Sequence, residues 1–455
     1  MNEGLMKRID MTSGNITKLT LAFALPLCIG NILQHLYTIV DTIIVGNFCG
    51  TTSVAAVATS SQPIEILLFL FMGIGRGISI LTAQSFGEKN YEKIKQLASC
   101  AVTYIYFLGI PLTIIGIFLG PVILRLMQVP SDTIFYATKY LNIIFLSTIA
   151  QIGYNFNSGI LNGMGDSLSS LIFLIISCII NIVLDLVFVL CFHMDVTGVA
   201  IATSIATFFS WIISIIYIKR KYPEIEFTFF PRKFEKKVMS EVFTIGFPLG
   251  INNSMYSFGH TIMQGLINTQ GSVFIAGCSI GSKLTSLSNL ALNSLSASAM
   301  TFAGQNYGAK KYARLKKGCS YLPFLAGTIT IFSSILLFIF RNPVLSIFTK
   351  DTEVLKMASR HVFIVMSFTW CYAIFNSILN IASGLGDVRF TTIVNLLMLL
   401  AVRIPVAFLL KALNLGKYLM AAISISFIFG MIVSLFYYRS KKWKKISILA
   451  KNCPN

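Results

Sequence analysis

An apolar stretch of about 20 residues can satisfy its backbone only as a helix, and it needs lipid or other helices around its side chains. Twelve such runs fill this chain, over residues 20–46, 53–84, 97–119, 136–162, 168–192, 196–218, 241–268, 273–302, 320–340, 358–383, 390–411 and 418–438. With 55% hydrophobic and 12% charged residues among 455, little is left to make a water-facing surface. The expected fold is an all-α, multi-pass membrane protein with twelve transmembrane helices.

The formal net charge is +19, and its distribution decides its meaning. Basic residues gather in three places: Lys219, Arg220, Lys221, Arg232, Lys233, Lys236 and Lys237; Lys310, Lys311, Arg314, Lys316 and Lys317; and Arg439, Lys441, Lys442, Lys444 and Lys445. Loops of this kind beside apolar helices mark the cytoplasmic side. No stacking aromatics or base-reading module accompany them, which excludes nucleic acid as a partner and leaves the lipid bilayer. The links expected on the opposite side are short, as at His193-Met194-Asp195. An even number of spans then puts both termini in the cytoplasm of a bacterial cell, with the chain in its cytoplasmic (inner) membrane. The nine cysteines form no CxxC pair and read as small buried thiols. Lys7, Arg8 and Lys18 precede a first helix expected to be retained rather than cleaved as a signal peptide.

Landmarks recur at nearly one spacing. Gln84-Ser-Phe-Gly87 returns as Gln305-Asn-Tyr-Gly308 and Gly163-Met-Gly165-Asp166 as Gly384-Leu-Gly386-Asp387, both 221 residues on; Phe23-Ala-Leu-Pro26-Leu matches Ile245-Gly-Phe-Pro248-Leu at 222. The chain therefore reads as two six-helix bundles, residues 1–218 and 241–455, joined by a basic cytoplasmic linker at 219–240. Because six is even, the repeat is parallel, and transporters built from such repeats bind substrate between the halves. The Gly-x-Gly-Asp turns suit glycine at positive φ followed by a helix cap. Gly73-Ile-Gly75-Arg-Gly77 follows no strand and reads as close helix packing rather than a phosphate loop.

No HExxH, GxSxG or CxxC occurs, and the four histidines are far apart, so no enzyme is expected. The informative residues are the intramembrane charges Asp41, Glu65, Arg76, Asp185, Lys283 and Arg403, since a charge inside a span is costly and points to function. Asn181 and Asp185 are four apart on one helical face, as are Tyr37 and Asp41, with Gln34 a turn earlier. At 1.5 Å per residue, Asp41, Asp185 and Thr203 all lie about 8 to 12 Å below the outer surface. Together with Asn181 they form an all-oxygen set suited to a proton shared between acids or to a hard cation such as Na⁺. A Glu65–Lys283 contact is a further expectation, and Arg403, beside Pro405, reads as a packing and charge-balancing residue. Tyr37, Met255, Tyr256 and Met263 are expected to give an adaptable apolar wall for varied ligands.

The order and spacing of these features resemble the multidrug and toxic compound extrusion (MATE) transporters. The likeness rests on Pro26, Tyr37 and Asp41-Thr42, the two Gln-x-x-Gly segments, the two Gly-x-Gly-Asp turns, Asn181 with Asp185, and Arg403-Ile-Pro405, and it runs from about residue 15 to 440. It implies two bundles around a V-shaped cavity and export of amphipathic, often cationic drugs against inward H⁺ or Na⁺ flow, with no other cofactor. The DinF-like branch of the family places its coupling site in the N-terminal bundle, which falls here on Asp41, Asn181, Asp185 and Thr203. The other main bacterial branch uses acids in helices seven and ten, and apart from Glu241 at the very start of the seventh this chain has none there. A functional monomer is expected. The rival reading is a lipid-linked oligosaccharide flippase of the same superfamily, for which only Arg76, Lys283 and Arg403 could line a cationic cavity.

Overall fold

The computed structural model describes residues 8–127, 129–231 and 235–440. The cations at 232–233 and 441–445 lie outside the described residues, as does the side chain of Glu65. All the regular structure is helical: α1 Ile16–Ile44, α2 Thr51–Gly87, α3 Tyr91–Leu126, α4 Ser131–Gly163, α5 Ser167–Leu186, α6 Val196–Lys221, α7 Lys236–Asn268, α8 Ser272–Gly308, α9 Tyr312–Ile339, a short α10 Arg341–Phe348, α11 Thr352–Met366, α12 Thr369–Gly384, α13 Val388–Leu396, α14 Ile404–Ala412 and α15 Ala421–Arg439. α11 and α12 make one rod bent by 44°. α13 runs into α14 through a π-helical segment, Leu397–Arg403. Counted as rods, the described residues give the twelve helices read from the sequence.

Eight of these rods are long and apolar enough to cross a bilayer by composition, and the bent pair makes nine. The other three, α2, α7 and α8, are longer than most, but Ser, Thr, Asn, Gln and Gly dilute their apolar content. Large apolar side chains stand on the outside of the helices: Phe118 is 73% exposed, Phe332 72% and Phe436 68%. A surface of that kind is stable against lipid and not against water.

The chain divides into two compact units, and not at the linker. One comprises residues 1–10 and 29–250, the other 11–28 and 251–455. These units differ from the linear division into 1–218, 219–240 and 241–455, and local contacts accompany both departures. In the first unit, Gly73 and Gly77 of α2 meet Gly246 and Gly250 of α7 so closely that a Cβ on Gly73 would lie 2.2 Å from the Gly250 nitrogen. The Tyr104 hydroxyl also donates to the Met239 carbonyl at 2.8 Å, holding the start of α7 to α3. In the second unit, Met11 donates its N–H to Gln305 Oε1 at 2.9 Å, and Asn306 Nδ2 donates to the Met11 carbonyl at 3.0 Å. Arg314 donates to the carbonyls of Met11 and Gly14, and Ser298 Oγ to the Thr20 carbonyl at 2.9 Å. The first part of α1 thus belongs with α8, and the first part of α7 with α2.

The repeated turns do what their residues suggest. Gly165 and Gly386 adopt φ of +88° and +94°, and Asp166 and Asp387 accept from the N–H of Ser169 and Phe390, each at 3.2 Å. Lys89 and Lys310, 221 residues apart, both take left-handed backbone after α2 and α8. Asp166 is more than a cap. It also accepts from Tyr217 Oη at 3.1 Å, Tyr222 Oη at 2.7 Å and Lys221 Nζ at 3.2 Å. Burial and the Asp166 carboxylate push the Tyr222 phenol well above its ordinary pKa, so this hydroxyl remains a donor.

Candidate functional site

In the first unit, α1, α5 and α6 bring together the residues singled out by depth. Asp41 leaves α1 one turn before its helix widens into a π segment, Val45–Cys49. Asp185 leaves α5 just before a second π segment, Val187–Cys191. π turns inside helices commonly accompany functional sites, because the extra residue per turn re-aims the side chains around it.

Asp185 is fully buried and Asn181 is 1% exposed. The two carboxyl groups stand near enough to feel each other's charge, as does Tyr37 beside Asp41, and acids so close favour sharing a proton or a cation. With its amide nitrogen toward Asp41, Asn181 donates to Oδ1 at 3.1 Å while its oxygen faces Thr203 Oγ1 at 3.3 Å. Thr203 Oγ1 lies 3.4 Å from Tyr37 Oη, which joins Tyr37 to the set. Asp185 Oδ1 has no hydrogen-bond partner, and none of the described ion pairs includes either acid. Just beyond the acids, Ile44, Val45, Val189 and Val199 form a buried apolar cluster. The donors are carboxyl, amide and hydroxyl oxygens, which fit a proton or a small hard cation.

Sequence reasoning missed Tyr140 on α4, which stands near enough to feel both carboxyl charges. As one of 17 tyrosines, with neither charge nor motif, it gave no signal. Gln34 is exposed, and only its backbone carbonyl is engaged, accepting from Thr38 at 3.0 Å.

The second unit treats the equivalent place differently. Met263 is 5% exposed and packs in a core with Leu266, Ile267, Ala407 and Phe427. At this position α7 turns its apolar face into its own unit. Tyr256 is 43% exposed. Lys283 is exposed, with Nζ 5.3 Å from the centre of the Phe348 ring. Arg403 is 6% exposed at the end of the π segment between α13 and α14, where Pro405 removes an N–H from the ladder. Its Nε donates to Ser426 Oγ at 3.0 Å, and its Cζ lies 5.5 Å from the ring centres of both Tyr256 and Phe427.

A family model described as MatE matches this chain twice, over residues 26–187 and 248–409. The copies stand 222 residues apart at both ends, the spacing of the two prolines. Among curated proteins, the chain is 28% identical over 440 residues to the probable multidrug resistance protein YoeA of Bacillus subtilis, covering 94% of each chain. It is 23% identical over 402 residues to the multidrug export protein MepA of Staphylococcus aureus, covering 88% of each. Among solved structures, it superposes with a TM-score of 0.89 on an outward-facing multidrug resistance MATE family transporter, at 19% identity over 97% of this chain and 99% of that one. A MATE structure in a bent conformation gives 0.90 at 20% identity, over 98% and 99%. With both halves matched in tandem by one family model, the chain belongs to the MatE family.

Proposed function

We propose that this chain is a cation-coupled antiporter that exports amphipathic, often cationic compounds across the bacterial cytoplasmic membrane by alternating access. It is a transporter rather than an enzyme, works as a monomer, and keeps both termini in the cytoplasm. The observation that carries the reading is the proximity of Asp41 and Asp185, a half-buried and a fully buried acid with no basic partner among the described ion pairs. Two unit charges 4 Å apart repel by about 4 kcal/mol at an effective dielectric of 20. Binding of H⁺ or Na⁺ removes that repulsion and lets α1 and α5 repack, which supplies the free-energy difference an exchanger needs between loaded and empty states. Asn181, Thr203 and Tyr37 orient the acids and offer further oxygens to the ion. The location of both acids in the N-terminal half supports the DinF-like branch, and the family match weighs against the flippase reading.

The test uses purified protein in liposomes loaded with a fluorescent cationic dye, with ΔpH and Na⁺ gradients imposed separately. Wild type moves dye when at least one gradient is applied, and Asp41→Asn loses at least tenfold of the driven rate while retaining dye binding. Driven transport that persists at full rate in Asp41→Asn overturns the coupling assignment.

A further inference from the structure

The family model matches residues 26–187 and again 248–409, so α7, α13 and α14 of the second copy hold the places that α1 and α5 hold in the first. In these helices of the second unit Met263 is 5% exposed and Ala407 fully buried. They also carry a cation, Arg403, 6% exposed. Arg403 uses Nε on Ser426, whose own hydroxyl donates to the Ile423 carbonyl at 2.6 Å and so keeps its acceptor turned to the arginine. Nη2 is buried and has no hydrogen-bond partner. No carboxylate pairs with the guanidinium in any of the described ion pairs.

A buried charge without a counter-charge is expensive to keep, and a buried donor left unpaired adds to the cost. Packing alone does not require an arginine here. Phe427 is already held on its other face by Tyr372, with ring centres 4.7 Å apart, and an apolar side chain would fill the same space without the penalty. What arginine adds is a planar fork that grips a carboxylate through two parallel hydrogen bonds. Beside it, Tyr256 is 43% exposed and offers an aromatic face.

We infer that Arg403, with Tyr256 alongside, forms an anion-accepting subsite in the C-terminal unit that selects substrates carrying a carboxylate on an aromatic body. The substrate class is then zwitterionic amphiphiles, whose acid group engages Arg403 and whose ring stacks on Tyr256. This rests on the export reading, but binding at equilibrium tests it without any gradient. A failed coupling assignment and a failed subsite therefore give different results.

The probes are rhodamine 110, a zwitterion with a free carboxylate, and rhodamine 123, its methyl ester. Binding of each to purified protein in lipid nanodiscs is read by fluorescence anisotropy. Wild type binds the acid about tenfold more tightly than the ester, the scale of one charge-assisted hydrogen bond. Arg403→Gln binds the two dyes equally and keeps its affinity for the ester within about twofold, whereas a merely structural role for Arg403 would weaken both together. Arg403→Lys, which keeps the charge without the fork, loses at least about threefold of the preference and carries the test if the glutamine variant does not fold. Equal binding of acid and ester by wild type, absence of saturable acid binding, or an undiminished preference in either variant overturns the subsite.

Discussion

At the scale of single residues, the four-residue set of Asp41, Asn181, Asp185 and Thr203 could be read before any coordinates. A carboxylate in an apolar run has few structural excuses, and i to i+4 spacing names its neighbours. Met263 shows where that reasoning stops. Its methionine suits an adaptable wall as well as a core, and only the packing of α7 decides between them. Arg403 stood out as a charge, but its role depended on which of its nitrogens found partners, and no sequence pattern records that. The proposed coupling set gives an ordered set of outcomes. Asp185→Asn removes one of the two carboxyls proposed to couple transport and is expected to reduce gradient-driven transport at least about tenfold. Asn181→Ala removes one donor to Asp41 and costs the smaller, severalfold amount expected of a single hydrogen bond to a charged group. Side-by-side initial rates in the same liposomes check the order, and an Asn181→Ala defect as deep as that of Asp185→Asn would contradict it.

At the scale of helices, length, order and turns were legible because apolar runs, glycines at positive φ and capping aspartates each leave a local mark. The π segments after Asp41 and Asp185 were not, since one extra residue per turn barely changes the hydrophobic pattern. The small-residue contact between α2 and α7 was half legible. Gly73 and Gly77 announce close packing, but their partners Gly246 and Gly250 lie well over a hundred residues away. Gly73→Ala would drive a methyl group into the α7 backbone, and overpacking of this kind costs about 1–3 kcal/mol. A Cβ on Gly265 of α7, by contrast, meets nothing within 4 Å, so Gly265→Ala is neutral or slightly stabilising. Thermal unfolding of the two variants in one detergent measures the contrast, and equal melting temperatures would remove the claim that α2 and α7 are in backbone contact.

At the scale of the whole molecule, the repeat was plain in the sequence, but the division into units was not. A linker rich in Lys and Arg looks like a boundary, yet hydrogen bonds to residues 11–14 and glycine contacts to residues 246–250 place the boundaries inside α1 and α7. The two parts of the chain cut after Pro231 are therefore each incomplete. Residues 1–231 lack the first part of α7, and residues 232–455 lack the segment 11–28. Expressed singly, neither yields a monodisperse species on size-exclusion chromatography; expressed together, they co-purify. A monodisperse fragment on its own would count against the exchange.

That exchange also bears on ancestry. If the tandem repeat descends from a duplicated six-helix gene, the opening half-helix of each copy is now housed by the other copy. Before fusion, such a subunit would have left part of its own interior open unless a second subunit lent its leading segment. The ancestral form was then an obligate swapped homodimer, and joining the two genes made permanent a trade that two separate chains already practised. Fusion also freed the two copies to diverge.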